Sequence, residues 1–142
     1  MERFLFWQKW LFAVSLVIFL FGAAFALLNG TALFKWMDDL YNPVFWNEKD
    51  IPTADIERFK TWIYGVLGAV MAGWGVMLAF IAHYPFRNRE RWSWNCVALG
   101  LAIWFLADTS VSLYFRVYIN ALFNFGIFAA VVLPLTFTRK AF

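Results

Sequence analysis

The sequence predicts an all-α protein: an integral membrane four-helix bundle, both termini inside, with a long acidic outer loop between the first and second helices. Three observations predict it. The chain is 63% hydrophobic and only 15% charged, where soluble domains run near 25% charged. Four apolar runs approach or exceed the roughly 20 residues that cross a bilayer. Basic residues gather at the ends of those runs, often beside tryptophan, which is the pattern of a membrane interface.

The same numbers exclude some classes. A net charge of +3 and a pI near 9.2 do not indicate nucleic acid, because helix-end topology explains the basic residues. Cys96 is the only cysteine, so neither an intramolecular disulfide nor a thiolate metal cluster is expected. The 142 residues read as one domain, 1–142. The N-terminus imitates a signal peptide, with Arg3 and Lys9 before an apolar run. That run is longer than a signal core, and a retained first helix is expected.

The first helix is expected over about 4–28. Trp7 and Trp10 sit near its start, and Gly22 and Ala26 form a small-xxx-small pair. Asn29-Gly30 supplies turn chemistry. The outer loop, 31–53, follows. Asp38, Asp39, Glu48 and Asp50 outweigh Lys35 and Lys49 in it, and Asp55 and Glu57 extend the acidity. Asn42-Pro43 breaks the loop. Trp36, Tyr41, Phe45 and Trp46 are candidates for a lid, against the simpler expectation of a loop lying flat at the interface.

The second helix is expected over 54–83, with Thr53 as N-cap and Asp55 and Glu57 in the first turn. Gly65, Gly68, Ala72, Gly75, Ala79 and Ala82 recur at spacings of three and four, a seam that lets another backbone approach. Arg87, Arg89 and Arg91 follow, relieved by Glu90 and leading into Trp92 and Trp94. They read as an inner loop, with binding of anionic headgroups as the alternative. The third helix is expected over 92–113 and the fourth over 118–137. No strong turn signal separates these two.

With the N-terminus inside, Arg3, Lys9, Arg87, Arg89, Arg91, Arg139 and Lys140 fall on the inner side. The acidic loop falls outside.

The candidate polar site is Asp108, Thr109, Ser112, Arg116, Asn120 and Asn124. A carboxylate inside an apolar helix is a functional hypothesis by default. Asp108 either lines a site for a polar group, a proton or a headgroup, or pairs with Arg116 to hold the hairpin between the last two helices. His83 is the only histidine and lies at the opposite end of its helix from that site. This argues against a His–Asp pair and against haem. No metal and no cofactor is expected. Size and layout resemble small four-helix membrane families such as the DoxX-like and sterol-isomerase-like proteins, with no shared motif.

Three functions follow as expectations. The first is a small accessory or lipid-interacting protein, with membrane lipids as partners and a possible homo-oligomer. The second is a membrane enzyme or binder for a lipid, sterol or quinone that uses Asp108. The third is an oligomeric transporter. A multi-pass protein of a bacterial inner membrane or its equivalent is the expected setting.

Overall fold

The structure is a computed structural model and describes residues 2–46 and 53–142. The described residues form five α-helices: α1 (Glu2–Leu28), α2 (Lys35–Phe45), α3 (Ala54–His83), α4 (Arg91–Tyr114) and α5 (Tyr118–Thr138). Short 3-10 turns precede α2 and follow α5. The chain divides into two compact units, 18–74 and 1–17 with 75–142.

The unit 18–74 holds the second half of α1, α2, and the first part of α3. Here α1 and α3 run antiparallel at backbone contact. A methyl group added to Gly22 would lie 2.5 Å from the backbone nitrogen of Ala72, and one added to Gly68 would collide with the backbone of Ala26. Helix α2 closes this unit. Its Met37, with Phe34 before it, packs on Phe25, and Phe21, Tyr41 and Tyr64 surround them. The Phe25 and Phe34 rings lie 5.3 Å apart and the Phe25 and Tyr64 rings 5.2 Å apart.

In the other unit, the first half of α1 runs antiparallel to α5, and α4 runs antiparallel to α5. Trp7 stacks on Phe137 at 4.6 Å, and Phe105 stacks on Phe128 at 4.3 Å. Several polar contacts here repair helix backbones. Pro134 lies inside α5 and has no N–H for the carbonyl four residues back. That carbonyl, on Ala130, accepts from the Trp10 indole at 3.0 Å. At the end of α3 the Phe86 N–H bonds to Ile81, which leaves the Ala82 carbonyl to a side chain. Buried Gln8 donates to it at 3.0 Å.

Both connections in this unit end in a left-handed arginine. Arg116, φ 61°, follows α4: its N–H reaches Leu113 at 3.1 Å, and that of Val117 reaches Ser112 at 2.8 Å. This pair of bonds is a Schellman closure, which normally takes glycine at that position. Arg89, φ 59°, repeats it after the turn at 85–88, with its N–H on Phe86 and that of Glu90 on Pro85, both at 3.0 Å.

The four-helix expectation is corrected. The first part of the expected loop, 35–45, is helical and packed. Its apolar residues find an aromatic floor on α1 and α3, which outweighs the break at Pro43. The rest of the loop, with Glu48, Lys49 and Asp50, lies outside the described residues.

The lipid-embedded N-in/C-in reading is corrected as well, together with its inner-membrane setting. It rested on hydropathy and on charges at helix ends. Polar groups within and at the ends of its helices are satisfied inside the chain. Lys60 is ion-paired within it, Gln8 and Trp10 complete helix backbones, and Asp108 is held by neighbouring side chains. The accessory or lipid-interacting role, the hydrophobic-molecule enzyme or binder, and the oligomeric transporter therefore lose their support, as do membrane lipids and a second copy as partners. A narrower fact stands: four helices are long and apolar enough to cross a membrane by length and composition.

Candidate functional site

The polar stretch around residue 108 becomes a hairpin, and the hairpin brings its side chains together. Asp108, Thr109 and Ser112 come from the last turns of α4, Asn120 and Asn124 from the first turns of α5. The residues at 108, 112, 120 and 124 are each a whole number of four-residue steps apart. Because the Schellman closure at Arg116 reverses the chain, those steps face each other across the hairpin.

One oxygen of Asp108 is the hub. Its Oδ1 accepts from Asn120 Nδ2 at 2.8 Å, from Asn124 Nδ2 at 2.9 Å and from Ser112 Oγ at 3.2 Å. The Ser112 hydroxyl also lies 2.7 Å from the Asp108 carbonyl and accepts from Asn120 at 2.8 Å. Asn124 reaches Thr109 Oγ1 at 3.3 Å. Ser112 and Asn124 are buried, and Asp108 and Asn120 are half-buried. Every donor to the carboxylate is neutral. Hydrogen bonds to an ionised acceptor are about twice as strong as neutral ones, so α4 and α5 are clamped where they meet.

Arg116 is not part of the cluster. It is exposed, and the ion pairs among the described residues are both at Lys60. The left-handed backbone at Arg116 marks the end of α4. His83 lies between Phe12, at 5.5 Å, and Tyr84, at 4.7 Å, and is not a partner of Asp108.

The lid residues divide. Tyr41 and Trp46 are half-buried, while Trp36 and Phe45 are exposed. Tyr41 packs against the cluster of Phe25, Phe34 and Met37 that helps to seat α2. Of the small-residue seam, Gly68, Gly75, Ala79 and Ala82 are buried and Gly65 and Ala72 half-buried. Arg87, Arg89 and Arg91 are all exposed. Among the described residues no group of three or more metal-ligating side chains comes together.

Sequence reasoning missed a second polar centre. Lys60 Nζ, on α3, lies 2.9 Å from Asp38 Oδ1 and 3.0 Å from Glu57 Oε1, and donates to Asn42 Oδ1 at 3.2 Å. Asp38 and Asn42 belong to α2. Burial alone would lower the lysine's pKa, but the two carboxylates outweigh it and hold the pKa above its ordinary value. Burial, and then the Asp38 charge, push the Tyr64 phenol up. The available signal was the i, i+3 pair Glu57–Lys60; Asp38 offered none until α2 was placed.

No protein-family model, no curated protein and no solved structure matches the chain.

Proposed function

We propose that the protein binds a small ligand through Asp108, and that the ligand presents a cationic or hydrogen-bond-donating group to the carboxylate. One observation carries this reading. The carboxylate is held by neutral donors on Oδ1, with no cation in ion-pair range among the described residues. A half-buried carboxylate that is oriented by neutral donors and has no ion-pair partner is suited to a cation or a strong donor. Asn120 and Asn124 would orient the carboxylate, and Ser112 and Thr109 complete the polar lining.

A second reading has its own support. The bonds bridge α4 and α5, so the cluster also serves as a clamp for the hairpin. Thermal unfolding with added sodium, ammonium, methylammonium and choline separates the two. The binding reading expects at least one of these to raise the Tm of the wild type, since a ligand held at 100 times its Kd adds about 2.7 kcal/mol. Asp108→Asn should remove that response. If no cation shifts the wild type, or if the variant responds equally, the clamp alone remains.

A further inference from the structure

We propose that the cationic end of the unit 1–17 with 75–142 binds a phosphate-bearing anion. Three segments far apart in sequence meet there around aromatic rings. Phe86 is fully buried, and stacks on Phe4 at 6.1 Å. Phe142 lies 4.9 Å from Phe86 and 6.0 Å from Phe4. This hub carries cations from each segment. The Arg89 guanidinium sits 4.7 Å above the Phe4 ring, Arg3 sits 5.1 Å above Phe137, and Arg91 donates through Nε to the Phe142 carbonyl. Arg139 and Lys140 lie in the 3-10 turn that leads to Phe142, and Arg87 lies two residues from Arg89.

All six of these cations are exposed. Arg91 is engaged by the Phe142 oxygen, and the other five take part in no ion pair among the described residues. The acidic side chains in the same segments are Glu2 and Glu90, and Glu90 Oε2 is occupied by the Trp92 indole at 2.6 Å. Cations therefore outnumber anions where the fold gathers them. Arg89 adds an independent sign. It holds a left-handed backbone that disfavours side chains by roughly 1–2 kcal/mol, where glycine would fit without that penalty. Arginine forks pair with phosphate oxygens two at a time, and stacking on rings preorganises them. Phosphate is the anion that matches several such forks at once.

The test uses the full chain, Arg87→Gln/Arg139→Gln, and two probes. Neither residue contributes a side-chain contact to the hub. Pyrophosphate binding is followed by titration calorimetry. Co-sedimentation with phosphatidylcholine vesicles, with and without phosphatidylglycerol, is the counter-test. We expect pyrophosphate to bind, and the double variant to bind it at least ten-fold more weakly while its Tm is unchanged. Failure of pyrophosphate to bind near 0.1 M salt overturns the proposal, as does equal binding by the double variant or binding to the anionic vesicles alone.

Discussion

At the scale of single residues, charges count by what surrounds them. Lys60 is buried in an acidic pocket, whereas Arg116 is exposed. The difference has a pH consequence. The pKa values of Lys60 and Tyr64 are raised in the fold above 10.5 and 10.0. The folded state therefore holds more protons than the unfolded chain at alkaline pH, and stability falls as pH rises. Their contribution is fully present below pH 10 and is lost above it, as pH climbs through the raised values. Lys60→Met should flatten that alkaline limb, and at neutral pH should destabilise by about 1–2 kcal/mol, less than a fully buried pair because its acidic partners are partly exposed. Chemical denaturation from pH 7 to 11 checks both. An unchanged alkaline slope in the variant would remove Lys60 as the titrating group. Asp108 shows the other side of the same lesson. Its rarity in an apolar helix marked it, but whether Arg116 or the two asparagines would answer it depended on how the chain turned at Arg116.

At the scale of helices, close approach and orientation are separate matters. Small residues at spacings of three and four announce that a backbone can come near. Which helix comes near is a tertiary result: in the unit 18–74 it is α1, at Gly22 and Ala26. Gly68→Ala should be destabilising by about 3 kcal/mol, because the added methyl meets backbone that cannot swing aside. Gly73→Ala meets nothing within 4 Å and should stabilise by up to about 1 kcal/mol through helix propensity. Thermal denaturation of the pair is the check, and equal effects would mean that α1 and α3 are not in backbone contact. Helix α2 was the element least legible in sequence. Its acidic residues and Asn42-Pro43 resemble a loop, and only the aromatic floor of Phe25 and Tyr64 shows why it is helical and where it lies. The repair of Ala130 by Trp10 was illegible for the same reason. Pro134 announces a vacant carbonyl, but not which side chain fills it.

At the scale of the whole molecule, internal satisfaction of polar groups coexists with an apolar exterior. In the 18-residue apolar windows of the four long helices, only 17% to 28% is buried inside the protein. Leu27 is 82% exposed, Leu122 and Met77 66% each. Covering such side chains is worth about 25 cal/mol for each Å².

The sequence by itself determined that the chain is helical, where proline and small residues modify the helices, and which polar residues stand out against an apolar background. These are local properties, set by composition and by periodicity along one element. The tertiary structure decided that residues 35–45 form a fifth helix, that Lys60 closes on Asp38, and that Asn120 and Asn124 rather than Arg116 hold Asp108. Each of these depends on groups from different helices meeting at hydrogen-bond or van der Waals distance. Such interactions fall off within a few ångströms, so the outcome depends on which helices pack and in what register, and not on the order of residues along either one.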